Sequence, residues 1–119
     1  MNEVLLIAKA AKKHNVPAAA LCALRIAENG GPGREFGVLS VSAATYEEQV
    51  DIAARSFKNH ETRYTDATAF PPHTYYGRYT EEFLRSFSAR WAPNDAENDP
   101  TDLNHNHAAN LIAAYELFD

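Results

Sequence analysis

At Asn29-Gly30-Gly31-Pro32-Gly33, three glycines and a proline fall within five residues, and neither a helix nor a strand runs through such a stretch. The segment before it, from Ala18 to Ala27 or Glu28, sets Leu21, Cys22, Leu24, Ile26 and Ala27 around most of a helical circumference. A helix apolar nearly all round belongs in a core. A buried helix must therefore stop at Glu28 and turn at once, which leaves a carboxyl group at the edge of apolar packing.

The other segments read as helices arranged around that one. Pro17 suits the first turn of the 18–28 helix, where its missing N–H costs nothing. A preceding helix is expected from Glu3 to His14, with Asn2 as N-cap and Val4, Leu5, Ala8 and Ala11 at helical spacing. Phe36 to Val41 is the only strand-like run. Thr45-Tyr46-Glu47-Glu48 is a capping box opening a third helix, Tyr46 to His60, with Val50, Ala53, Ala54 and Phe57 on one face. Arg63 to Tyr79 reads as a long irregular segment holding four tyrosines. Thr80 caps a fourth helix through Arg90, with Phe83, Leu84, Phe87 and Trp91 inward. Asp99 and Pro100 open a fifth, lined by Leu103, His107, Leu111 and Tyr115. The expectation is an all-α fold of about five helices, with at most a vestigial short hairpin, in one domain spanning 1–119.

Composition narrows the function classes. Hydrophobic residues at 45% and charged residues at 23% are globular values, which excludes a disordered or collagen-like chain. Eleven Lys and Arg against sixteen Asp and Glu give a net charge of −5, a poor basis for gripping nucleic acid. Residues 8–18 superficially suggest a helix-turn-helix, but the second helix would carry one charge, Arg25, where a groove reader needs several polar and basic groups. A lone Cys22 excludes an internal disulfide and a multi-thiolate zinc site, and core packing is its expected role. Val4-Leu5-Leu6-Ile7 follows Glu3 and is soon broken by Lys9, unlike a signal peptide, and no run approaches the roughly 20 apolar residues of a membrane span. The chain is expected to be made in the cytosol.

Glu28 is the candidate catalytic residue. Desolvation raises a carboxyl pKa, and the negative end of a helix dipole also favours the protonated form; both suit a general acid near neutral pH. A solvated helix-end glutamate with no task is the plain alternative. Tyr75 and Tyr76 offer amphipathic rings for a sugar-stacking wall or for pinning the loop, while Tyr64 and Tyr79 are assigned to packing. No metal or cofactor is expected. His105 and His107 lie about 200° apart around a helix, His60-Glu61-Thr62-Arg63-Tyr64 lacks a second histidine, and Asp95, Glu97 and Asp99 lack the glycine and terminal glutamate of a calcium loop. Trp91 is read as a lid on the core.

Leu24-Arg25-Ile26-Ala27-Glu28-Asn29-Gly30, followed by Phe36-Gly37-Val38, resembles the lysozyme superfamily: lytic transglycosylases, flagellar-type glucosaminidases and small lysozyme-like proteins of phages and prophages. Tyr46-Glu47-Glu48-Gln49 with Ala53-Ala54 is similar to the helix that comes next in them. Phe83 through Trp91-Ala92-Pro93, Glu97-Asn98-Asp99-Pro100 and Leu103-Asn104 resemble a C-terminal pattern of the phage group. The likeness covers roughly residues 17–115.

The resemblance implies cleavage of peptidoglycan glycan strands between N-acetylmuramic acid and N-acetylglucosamine. Glu28 would protonate the glycosidic oxygen. In a transglycosylase it would then serve as base while the muramyl 6-hydroxyl attacks. A hydrolase usually uses a second carboxylate roughly 5–9.5 Å away; Glu35, Glu47, Glu48 and Asp51 are the candidates, and Glu35 is the best placed, with a plain surface residue as its alternative. Gly37 and Ser40 occupy the positions of the family's Gly-Leu-Met-Gln strand motif and are carried over as substrate-binding. Here that motif reads Gly37-Val38-Leu39-Ser40, the Ala-Tyr-Asn motif is missing, and Asn29 stands where a serine is common. These departures keep a second class open: a noncatalytic phage or prophage module that retains the fold and binds glycan. The −5 charge gives no attraction to an anionic wall, so a virion assembly or holin-like release is the expected route, with virion proteins as partners.

Overall fold

The computed structural model describes residues 2–39, 45–74, 76–92 and 106–118. The fold is all-α, with five helices in the order α1 (Glu3–His14), α2 (Ala18–Glu28), α3 (Tyr46–Thr68), α4 (Glu81–Trp91) and α5 (His107–Glu116). Three of them start on a side-chain cap. Asn2 Oδ1 accepts from the Leu5 N–H at 3.2 Å, Thr45 Oγ1 from Glu48 at 3.2 Å, and Thr80 Oγ1 from Phe83 at 3.1 Å. The Thr45 hydroxyl also donates to Glu48 Oε1 at 2.8 Å.

α2 is the central element, packing on α5, α1 and α3, and its Leu21 and Leu24 are fully buried. Phe57 of α3 stacks on Phe87 of α4 with centroids 3.9 Å apart, and Phe83 and Tyr79 close the same aromatic cluster. Tyr64 and Tyr79 are buried packing residues. The Tyr79 hydroxyl donates to Glu61 Oε2 at 2.8 Å; burial first, then the Glu61 charge, pushes that phenol well above its usual range. Cys22 is half-buried against the core, and burial raises its thiol pKa, away from nucleophilic use.

Three expectations need correction. Phe36 to Leu39 forms no strand, because Gly37 sits at φ 77° and a side chain from α3, rather than a neighbouring strand, takes up the backbone groups. The one β feature among the described residues is an isolated antiparallel bridge between His73 and Tyr79. α3 runs on past His60 to Thr68, since the buried face of Val50, Ala53, Ala54 and Phe57 continues through His60 and Tyr64. The irregular connection therefore shrinks to 69–79, entered through Ala69 in the left-handed region at φ 63°. The fifth helix begins at His107, with Asn106 and not Asp99 at its N-cap; Asp99, Pro100 and the lining residue Leu103 lie outside the described residues.

α1 is tied to α3 by Asp51, whose Oδ1 meets His14 Nε2 at 2.7 Å and Lys13 Nζ at 3.0 Å. The hydrogen bond from His14, more than that from Lys13, holds the Asp51 carboxyl below the usual range. A depressed carboxyl stabilises above its unfolded pKa of about 4 and loses that contribution as pH falls through the lower folded value. Asp51→Asn should therefore cost about 1 kcal/mol at neutral pH. In urea titrations the gap from wild type should close on acidification below pH of about 4; a gap that persists unchanged into stronger acid would contradict this.

Candidate active site

α2 ends at Glu28 because Asn29 turns left-handed, at φ 47°, and hands its N–H to the Arg25 carbonyl at 3.0 Å. The following loop folds back on itself. A side chain at Gly30 would collide with the Arg34 carbonyl, so only glycine admits this close approach. Arg25 gathers the loop from the helix side, with Nη1 donating to the Gly30 carbonyl at 3.3 Å and the Glu35 carbonyl at 3.5 Å, and with Nε on Glu3 at 2.9 Å.

From the other side, Gln49 of α3 reaches in, fully buried. Its Oε1 accepts from the Phe36 and Val38 N–H groups at 3.1 and 3.2 Å; its Nε2 donates to the Gly33 and Val38 carbonyls at 2.9 and 2.8 Å. One side chain thus does for residues 33–38 what a partner strand would do. The result is to lay Gly37 over the Glu28 carboxyl. A Cβ at position 37 would stand 2.7 Å from Glu28 Cδ and closer still to Oε2.

The opposite carboxyl oxygen is held by the ends of two other helices. Trp91, the last residue of α4, donates its indole N–H to Glu28 Oε1 at 3.0 Å. His107, the first residue of α5, places Nε2 2.8 Å from the same oxygen. His107 Nδ1 lies 2.6 Å from Ser88 Oγ, one turn before Trp91 on α4. An indole N–H can only donate, so Oε1 is an acceptor. The network closes with Nε2–H donating to Oε1 and the Ser88 hydroxyl donating to Nδ1, an assignment made from the bond pattern. Ser88 is 2% exposed and cannot meet a substrate, so Ser88–His107–Glu28 is a hydrogen-bonded chain that orients the carboxyl and not a nucleophilic triad. The Glu28 side chain keeps 19% of its surface. Oε1 thus accepts both ring N–H groups, while Oε2 faces Gly37.

Of the residues singled out from sequence, Glu28 and Gly37 are brought together. Glu35 is not a surface residue: it is 7% exposed, and its Oε1 is buried without a hydrogen-bond partner among the described residues. Glu47 and Glu48 lie exposed in the first turn of α3, and Asp51 is engaged by α1. Ser40 and Tyr75 lie outside the described residues. Tyr76 is 87% exposed, in a segment that Arg78 fastens to the far end of α5 through the Tyr115 and Phe118 carbonyls. Glu28 meets that helix at His107, roughly 12 Å away along the axis. Sequence reasoning missed Gln49, Ser88, Trp91 and His107 as site residues. The legible signal was a polar residue at a core-facing helical position, which holds for Gln49, Ser88 and His107.

No family model matches this chain, and no curated protein or solved structure is significantly similar to it. Among the described residues, no group of three or more His, Cys, Asp or Glu side chains could hold a metal ion, and no helix is long and apolar enough to cross a membrane.

Proposed function

We propose that the protein cleaves peptidoglycan glycan strands, with Glu28 as general acid and then base. The observation that carries this reading is the asymmetry of the carboxyl: Oε1 is anchored by two ring N–H donors, and Oε2 is turned toward a position with no side chain. A general acid needs this division of labour. The Oε2 proton passes to the glycosidic oxygen as the C–O bond breaks, and the bonds from Trp91 and His107 strengthen as negative charge develops on the carboxylate. The carboxylate then takes the proton of the attacking hydroxyl. If that is the muramyl 6-hydroxyl, an anhydro sugar forms; if it is water, a reducing end forms.

The second reading is a glycan-binding or structural module of phage or prophage origin. The 2.8 Å contact of Glu28 with a His107 side chain only 7% exposed favours it, because a carboxyl clamped between helix ends also serves as a structural tie. On either reading the −5 charge supports delivery by a larger assembly, with virion proteins as partners.

Digestion of purified peptidoglycan, with products read by mass spectrometry, separates these. Glu28→Gln should release fragments slower by a factor of about 10²–10⁴, the usual worth of a positioned acid. Anhydromuramyl products from wild type mark a transglycosylase, and hydrated ones a hydrolase. If folded wild type releases nothing, catalysis is excluded and the module remains.

A further inference from the structure

We propose that the groove between α3 and α4 binds a carboxylate-bearing group, which, resting on the glycan-strand reading above, is the peptide stem of the strand. The groove encloses about 200 Å³ and is lined by Ser56, Asn59, His60 and Arg63 of α3 and by Phe87, Arg90 and Trp91 of α4. That is below the roughly 300–1,000 Å³ of a drug-sized ligand pocket, so it takes an anionic group and a few neighbouring atoms rather than a disaccharide.

Charge selects the ligand class. The chain carries a net −5, and Arg25 and Arg85 are paired with Glu3 and Glu81. Arg63 and Arg90 are both exposed, and among the described residues neither has an acidic partner. Two guanidiniums facing one small groove form the forked donor set that matches a carboxylate.

Below them lies His60, 6% exposed, with Nε2 on the Ser86 hydroxyl at 2.8 Å and Nδ1 buried without a partner. Burial, and then the positive field of Arg63 and Arg90, holds this imidazole below its ordinary pKa. A buried nitrogen without a partner is costly unless something completes it, and the Ser56 and Asn59 side chains add further polar groups on the same wall. Trp91 joins this groove to the candidate acid, since its indole N–H holds Glu28. A stem anchored here would lie one side chain from Glu28 and set which sugar of the strand meets the acid.

The test is a titration of the full chain, followed by NMR or calorimetry, with N-acetylmuramyl-L-alanyl-D-isoglutamine, with its carboxyl-amidated form, and with inorganic phosphate. The acid form should bind and the amide should not. Arg63→Gln and Arg90→Gln, both at exposed positions that leave the fold intact, should each weaken binding about tenfold or more. Equal binding of acid and amide, indifference to both arginine substitutions, or tighter binding of phosphate than of the muramyl peptide would overturn the proposal. Because the readout is binding, the two readings fail separately. A chain that digests peptidoglycan through Glu28 without carboxylate binding loses the groove alone. A chain that binds through Arg63 and Arg90 but releases no sugar loses the catalytic role of Glu28 and keeps the anion site.

Discussion

Gln49→Met should destabilise the protein by about 3–5 kcal/mol, because four backbone groups, one in a buried and three in part-buried bonds, lose their partner; a buried group left unpaired costs about 1–3 kcal/mol, and water recovers part of this at the part-buried ones. Methionine keeps the length and fills the same volume, so the loss isolates hydrogen bonding from packing. Two N–H groups, of Phe36 and Val38, and two carbonyls, of Gly33 and Val38, lose their partner together. Urea unfolding should show a lower midpoint, and hydrogen exchange should show the amides of Phe36 and Val38 opening before the rest of the core. Gln49→Glu separates the two halves of the interaction: it retains an acceptor for the amides but turns an oxygen toward the two carbonyls, so it should not rescue stability. A loss below about 1 kcal/mol for Gln49→Met would mean that the loop is held by the packing of Phe36 and not by this side chain.

Gly37→Ala should act chiefly on the Glu28 carboxyl. Its backbone at φ 77° costs an L residue about 1–2 kcal/mol. The added methyl would also overlap the Glu28 side chain, whose Cδ lies 2.7 Å from the ideal Cβ position. A flexible carboxyl yields before the backbone does, so Glu28 should swing off Trp91 and His107 and leave both ring donors without their acceptor. On the proposed function, the rate should then fall by a factor of about 10²–10⁴, as for removal of the acid itself. Gly37→Asn distinguishes strain from displacement. Asparagine tolerates the left-handed region, so it should recover stability relative to alanine while activity stays low. Near-wild-type activity in Gly37→Ala would remove Oε2 as the proton-donating oxygen. Gln49 and Gly37 act on one loop, so their effects on stability should not add.

Five helices and the starts of α1, α3 and α4 were legible because helix signals are local; the start of α5 was not. Asn2, Thr45 and Thr80 each reach a backbone N–H three residues on, and that reach is written in the sequence itself. Glu28 was legible for a related reason: a largely apolar helix meeting a Gly-rich break leaves a carboxyl group at the edge of the core, whatever the rest of the chain does. The strand-like run expected from Phe36 to Val41 forms no strand over residues 36–39, because a short apolar run says nothing of what satisfies the backbone. That role falls to Gln49, 13 and 11 residues further along from Phe36 and Val38, once α3 has packed beside the loop.

The site around Glu28 was decided by tertiary structure alone. Trp91 and His107 lie 63 and 79 residues from the glutamate they hold. Neither distance has a periodicity or spacing that could announce it. The two bonds exist only because α4 ends and α5 begins where α2 stops. Sequence placed Glu28 at the end of a largely apolar helix, since hydropathy and glycine's backbone freedom are properties of the chain itself. Which oxygen is anchored and which is turned toward Gly37 follows from the meeting of three helix ends, which only packing brings about.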